Sequence, residues 1–274
     1  MELRDIVPIG PASPASDVMQ YYGLLGDYVG GFWGTAVGLL TALGVFVTVW
    51  YTRRIDYKSK TYQVFVEMLR THEEIVSTLE IKDLKGREAV SLVLSEFYAI
   101  YRVVAETANA GAGWSLQQRI DIAYTYTFFG AQFQTMKILS AFDQAYIKLV
   151  GDGVSRLRQE NESDKRAFKG HQNRLSHYFR NLFSAYAFIE ESDLSHTEKQ
   201  SLGKVLKSKL SNYEQALLAI NCICHLGEAW EREHLLSTYK PIKNIPKNFF
   251  SFDDEFDLKS QFPYIVFEWE SPKR

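Results

Sequence analysis

From Tyr28 to Tyr51 the chain carries no charged residue, and downstream of that run apolar and polar positions recur at helical spacing. The run, YVGGFWGTAVGLLTALGVFVTVWY, holds 24 residues, which as a helix reach about 36 Å and exceed a hydrocarbon core of about 30 Å. Trp33, Trp50 and Tyr51 lie near its ends, where amphipathic rings favour the headgroup level. A buried helix of a soluble protein is the competing reading, because the first third of the run is rich in glycine. The basic residues after Tyr51 and the aromatic flanks favour a membrane span. A cleaved signal peptide fits worse: the run is too long, starts too late and follows an acidic segment.

The helical pattern continues beyond the run through Tyr62, Phe65, Val66, Leu69, Ile75 and Leu79, and Lys85-Gly86 breaks it. A second helix fits Glu88 to Thr107, with Val90, Val93, Phe97, Ile100, Tyr101 and Val104 on its apolar side. Trp114 opens a stretch towards Ala131, and another runs from Gln132 to Leu149. Gly151 and Gly153 predict a turn before a charged linker over 155–169. A helix follows from His171 to Ile189. Ser195 and Glu198 then form a capping box ahead of one long helix, whose stripe runs from Leu202 through Leu206, Leu210, Tyr213 and Leu217 to Ile220. Glu228 to Leu236 is shorter, and beyond Pro241 and Pro246 the period is lost, apart from a short strand at 264–267.

These elements predict an all-α protein: a single N-terminal transmembrane helix, a cytosolic helical bundle and an irregular C-terminal tail. Residues 1–23, with three prolines and no period, read as a flexible arm outside the membrane. Residues 24–56 are the span with its basic stop, 57–245 the cytosolic helical domain and 246–274 the tail.

Charge sets the expected orientation. Glu2, Asp5, Asp17 and Asp27 precede the span against a single Arg4, whereas Arg53, Arg54, Lys58 and Lys60 follow it against Asp56. Basic flanks stay on the cytoplasmic side, so the expectation is a single-pass protein of the bacterial inner membrane, N-terminus outside and bulk inside. The same four basic residues suit contact with anionic lipid. Within the span Gly30, Gly34 and Gly38 recur every fourth residue. In lipid, close backbone approach over small residues replaces the hydrophobic effect, so this stripe predicts self-association into a homo-oligomer.

A net charge of −2 over 274 residues argues against a dedicated nucleic-acid binder, and no direct sequence-specific binding is expected. Arg156, Arg158, Lys165, Arg166, Lys169 and Arg174 are interleaved with Glu160, Glu162 and Asp164, which reads as a solvated face. Cys222 and Cys224 are the two cysteines. Two positions apart on a helix they diverge by about 200°, which suits neither a disulfide nor a shared metal. No Gly-rich phosphate loop, HExxH or EF-hand loop occurs, and no cofactor or metal is expected.

The richest polar patch is GHQNRLSHYFRN over 170–181. Arg174, His177 and Asn181 share a helix flank, and His171 borders the apolar face. A second patch holds Ser211, Glu214 and Asn221. Packed antiparallel, the two helices would join a His/Arg side to a Glu/Asn side. As catalysis, His171 or His177 would be the base for phosphodiester cleavage, with Arg174 or Arg180 on the phosphate and Glu214 nearby. Helical ribonucleases of the HEPN type are superficially similar, but they place Arg four to six residues before His, and Arg174 to His177 is shorter. As structure, His177, Arg180 and Glu214 form a packing network that fixes helix register, and this reading is favoured.

The same residues carry a resemblance. Gly26–Gly31, Phe65 through His72-Glu73, Lys85–Ala89, Gly170-His171-Gln172, His177–Leu182, and Leu210-Ser211 with Glu214 and Asn221 resemble the AbiC-like phage abortive-infection family, over residues 24–245. Members often carry two N-terminal membrane helices, and residues 1–23 are too polar for one. The resemblance implies bacterial defence against phage and growth arrest on infection. The expected protein is a membrane-anchored toxic effector, restrained by a partner and damaging the inner membrane on release. A retron reverse transcriptase with its RNA/DNA and a phage protein are the candidate partners. A membrane-tethered nuclease using His171 or His177, and a non-toxic adaptor of a defence complex, are the alternatives.

Overall fold

A computed structural model describes residues 14–81, 84–161 and 167–270. Apart from one two-residue antiparallel hairpin, β1 (Glu80–Ile81) with β2 (Leu84–Lys85), the described chain is helical or irregular, so the protein is all-α. It divides into two units, Met1–Lys60 and Thr61–Arg274.

The first unit is helical throughout its described part. Helix α1 covers Pro14–Thr78, so residues 14–23, read from sequence as part of an arm, are helical. Proline is tolerated in a first helical turn, where its missing N–H is unneeded. Residues 1–13 of the expected arm lie outside the described residues. α1 is long and apolar enough to cross a membrane, and its apolar window is 0 % buried. A core helix of a soluble protein would bury that surface, whereas Leu39, Leu40 and Phe46 are 68, 70 and 71 % exposed. Thr35, Thr41 and Thr48 each donate a hydroxyl hydrogen bond to the carbonyl four residues earlier, so these hydroxyls need no water.

The second unit is built around α2 (Arg87–Thr107). Its apolar stripe, Val90, Val93, Phe97, Ile100, Tyr101 and Val104, is buried, as its spacing predicts. α2 packs against α3 (Leu116–Phe129), α5 (Gln144–Glu160) and α8 (Asn212–Ile223). A π-turn over Ala108–Ala112, with Gly111 and Gly113 at positive φ, reverses the chain into α3. Burial of each large aromatic such as Phe97 or Tyr124 contributes about 1.5–3 kcal/mol.

Several boundaries differ from the sequence pattern. The stretch 132–149 divides into α4 (Phe133–Ile138) and the start of α5, whose N-cap is Asp143. Gly151 and Gly153 are interior to α5, not a turn. A Cβ on Gly153 would lie 2.4 Å from Val103 Cγ1, so this glycine lets α5 approach α2. The expected linker is helical to Glu160, and 162–166 lie outside the described residues.

After α6 (Gln172–Glu191), the single long helix expected from Leu202 to Ile220 is two: α7 (His196–Ser208) and α8. Ser195/Glu198 caps α7 as predicted, and Ser211/Glu214 forms a second complete capping box that starts α8. The shorter helix near 228–236 is likewise two pieces, α9 (Glu228–Arg232) and α10 (Leu235–Tyr239). Among its described residues the tail adds α11 (Leu258–Gln261) and a 3₁₀ turn. No strand forms at 264–267: Ile265 and Phe267 are buried and Tyr264 and Val266 exposed, an alternation without a pairing partner. The tail is held down all the same. Phe252 packs among Phe97, Tyr98 and Tyr101, and Asp253 accepts from Tyr101 and, at 3.0 Å, from Arg119.

Candidate functional site

The start of α6 and the start of α8 bring His171 and Glu214 into the core of the second unit, and each meets a partner from elsewhere in the chain. His171, the N-cap residue of α6, is fully buried, and its Nε2 lies 2.9 Å from Glu96 Oε2 on α2. The same oxygen accepts the Phe168 backbone N–H at 3.1 Å. Arg174, one turn along α6, approaches His171 Nδ1 at 3.4 Å. Two glycines make this placement feasible. Gly130, which ends α3, and Gly170, at φ +75 and +87, cross so closely that a Cβ on either would lie 2.4 Å from the other strand's backbone. That crossing aims the His171 N–H at the Phe128 carbonyl, 2.9 Å away.

Glu214 is the N3 residue of α8 and is completely buried. Its Oε2 accepts the Ser211 N–H at 2.8 Å and faces Arg87 Nε at 3.4 Å, while Oε1 faces His72 Nε2 at 3.8 Å. Burial pushes this carboxyl up, but His72 and the two Ser211 hydrogen bonds outweigh it and leave Glu214 below its usual range. Tyr178 of α6 completes the cluster, its ring 5.2 Å from the His72 ring. Burial first, and then the Glu214 carboxylate, push the Tyr178 hydroxyl far above its ordinary value. Both ring nitrogens of His72, Glu214 Oε1 and the Tyr178 hydroxyl are buried without a hydrogen-bond partner among the described residues.

α6 and α8 therefore do meet, but through Tyr178 and Glu214. His177 and Arg180 are exposed on α6, and neither is among the groups that hold Glu214. Asn221 lies further along α8 and donates to the Tyr124 hydroxyl at 3.2 Å, joining α8 to α3. The predicted patch is thus separated into three neighbourhoods. His72 and His171 are at most 1 % exposed, and among the described residues no carboxylate is paired with the exposed His177, so the groups are not gathered as a general-base site would gather them.

Sequence reasoning missed His72, Arg87 and Glu96 as participants. Glu96 had a legible signal: it interrupts the apolar stripe of α2 between Val93 and Ile100, where an unpaired carboxylate would be costly. A third pair, Asp121 Oδ1 with His225 Nδ1 at 2.6 Å, was also missed; the Asp121 hydrogen bond raises His225 above its ordinary value against the opposing effect of burial.

Cys222 and Cys224 are buried free thiols, both pushed up by burial. Among the described residues, no three His, Cys, Asp or Glu side chains converge as a metal site would require. In the first unit, a Cβ at Gly30, Gly34 or Gly38 meets nothing within 4 Å, so the stripe is an open face. Arg53, Arg54 and Lys60 are exposed and Lys58 is half-buried, with the Arg54 guanidinium 5.6 Å above the Trp50 ring.

No curated protein and no solved structure matches the chain. One family model does, and it covers α6 through α10 and the first residues of the tail. The match includes His171, His177–Leu182, Glu214 and Asn221, and leaves out α1 to α5. Residues 170–250 match the family described as "Putative phage abortive infection protein", which supports the resemblance drawn from the sequence.

Proposed function

We propose that this protein is a membrane-anchored effector of bacterial antiphage defence, restrained by a partner until infection and then acting on the inner membrane to arrest growth. The observation that carries the reading is the pairing, in one chain, of the abortive-infection match with a helix whose apolar window is wholly exposed. A matched segment built from capped, well-packed helices supplies a regulatory body rather than an open catalytic cleft. The exposed helix supplies the means of acting on lipid.

In this reading the N-terminus lies outside and the second unit inside, as the asymmetry between Asp17/Asp27 and Arg53/Arg54/Lys58/Lys60 favours. The open Gly30/Gly34/Gly38 face pairs copies of the helix, and the basic residues after it meet anionic headgroups. Restraint comes from a defence-system partner, either a reverse transcriptase with its RNA/DNA or a direct sensor contact with a phage protein.

The test is to induce the protein alone, and together with its genomic neighbours, while following membrane potential and RNA integrity. Rapid depolarisation with intact RNA, suppressed by a neighbouring gene, is the expected result. RNA loss ahead of depolarisation would replace this reading with a tethered nuclease acting through His171 or His177. The absence of both under phage challenge would leave only an adaptor.

A further inference from the structure

The tail is attached to the second unit in two different ways. Beyond Leu258 it belongs to the core, with Phe262 and Phe267 only 3 and 0 % exposed. Before Leu258 it does not. Residues 246–257, between the buried Ile245 and Leu258, form a strap without helix or strand, and none of them is fully buried. The strap carries Phe249, Phe250, Phe252 and Phe256, all half-buried. Among the described residues, its backbone hydrogen bonds stay within the tail. The Phe249 N–H donates to the Pro246 carbonyl and the Phe256 N–H to the Asp253 carbonyl, both at 3.2 Å.

Side chains hold the strap instead. The Phe252 ring lies 5.3, 5.5 and 4.7 Å from those of Phe97, Tyr98 and Tyr101 on α2. Asp253 accepts from the Tyr101 hydroxyl and, at 3.0 Å, from Arg119 Nη1 of α3. Glu255 accepts from Arg119 Nη2 at 2.6 Å. The Arg119 side chain is 13 % exposed and bridges two carboxylates, one buried and the other 72 % exposed. Phe249 rests on Tyr213 of α8 at 5.4 Å. Inside the curve of the strap lies a space of about 390 Å³, lined by Lys247, Phe250, Asp253, Phe256 and Trp269. The inner side of the strap therefore lacks the dispersion contacts of a close-packed core.

Covering the core explains Phe252 and leaves the other three rings unexplained, because a segment kept only for packing would bury them as Phe262 and Phe267 are buried. A short stretch gripped by an aromatic nest and one guanidinium is held as a bound peptide is held. Few fully buried contacts also place it among the regions that open below the global unfolding free energy.

We propose that Phe97, Tyr98, Tyr101 and Arg119 form a docking site for a segment of a partner protein in which a phenylalanine is followed by carboxylates. The chain's own strap is the resident competitor. It defines the partner's chemistry: a ring for the nest, with carboxylates one and three positions on for the forked guanidinium. The site extends the restraint by a partner proposed above, while its test reads binding and not toxicity.

The probe is a fluorescein-labelled peptide with the sequence of residues 248–257, followed by fluorescence anisotropy against the full-length protein in lipid nanodiscs. Native protein should bind it weakly, because the strap occupies the site. Phe252→Ala vacates the nest and should tighten binding by about tenfold or more. Adding Arg119→Gln to that variant should weaken binding by about tenfold, the loss expected of a bidentate charge-assisted contact. A control peptide with the counterparts of Asp253 and Glu255 changed to Asn and Gln keeps every ring, and with them the affinity for lipid. It should bind about tenfold more weakly. Excess peptide should also speed hydrogen exchange of strap amides while leaving those of α2 unchanged. If Phe252→Ala is unfolded by circular dichroism, Glu255→Gln replaces it, with a gain of about two- to fivefold for the loss of one exposed ion pair. Failure of the peptide to bind the native protein and both variants at millimolar concentration would overturn the proposal. So would binding indifferent to Arg119→Gln, or strap amides that exchange only together with α2. Dimers that form by exchanging straps and vanish in Arg119→Gln would overturn it in favour of a second copy of this chain.

Discussion

His171 and His72 are both buried and both face a glutamate, yet their surroundings differ. His171 and Glu96 lie 2.9 Å apart, and the same Glu96 oxygen also ties down the Phe168 N–H, so this pair is joined by direct hydrogen bonds even though Glu96 Oε1 has no partner among the described residues. His72 and Glu214 are 3.8 Å apart, and the carboxylate is held instead by Ser211 and Arg87. The first histidine stabilises its region through directional bonds. The second contributes mainly a ring packed on Tyr178 and a nearby dipole or charge. Equal burial therefore does not imply equal contribution; the geometry of the partner decides it.

The sharpest way to break the contrast is at the closed pair. Glu96→Ala strands His171 and the Phe168 N–H together and should cost about 3–5 kcal/mol, read by denaturant unfolding of the detergent-solubilised chain. His171→Phe should cost about 2–3 kcal/mol, because it leaves the buried Glu96 with the Phe168 N–H alone on Oε2 and nothing on Oε1. At the open pair, Glu214→Gln retains an acceptor for the capping box and should cost only about 1–2 kcal/mol. His72→Phe keeps the ring contact and removes two buried, unbonded nitrogens, which offsets the lost support for the Glu214 carboxylate, so the net cost should be about 1 kcal/mol. A loss at His72 as large as that at His171 would erase the distinction.

The smallest effects are in pH, and they run in opposite directions. Glu214 sits below its ordinary 4.5 when folded, so its contribution is present above that value and is lost as pH falls through the lower folded value. His225 sits above its ordinary 6.5, so its contribution is complete below that value and is lost as pH rises through the raised one. Unfolding midpoints should drop less in acid for Glu214→Gln, and less above neutral pH for His225→Gln, than for the native protein.

The sequence made some of this plain and concealed the rest for identifiable reasons. α2 was readable almost to the residue, because its apolar stripe has one period and a glycine before it. The α7/α8 boundary was hidden, because Leu206, Leu210 and Leu217 keep nearly helical register across the break. The capping box Ser211/Glu214 had the same pattern as the recognised Ser195/Glu198 and was the available signal. Gly151 and Gly153 misled, since a glycine that admits a neighbouring helix has the same letter as one that makes a turn. In the candidate site Glu214 and His171 were legible as residues, but their partners were not. Pairing across the core is a tertiary fact, and single-helix geometry pointed to His177 and Arg180.

The distance along the chain between Glu96 and His171 has a consequence for biosynthesis. The two residues are 75 positions apart, which a ribosome covers in roughly 4–15 s at about 5–20 residues per second. Over that interval α2 carries a carboxylate in the middle of its most apolar face, with nothing available to neutralise it. A carboxylate so placed favours hydration of the nascent helix over early collapse, and its pairing has to await the segment that carries the Gly170 crossing and His171. A chain truncated before α6 should remain open and be degraded rather than accumulate as a misfolded half.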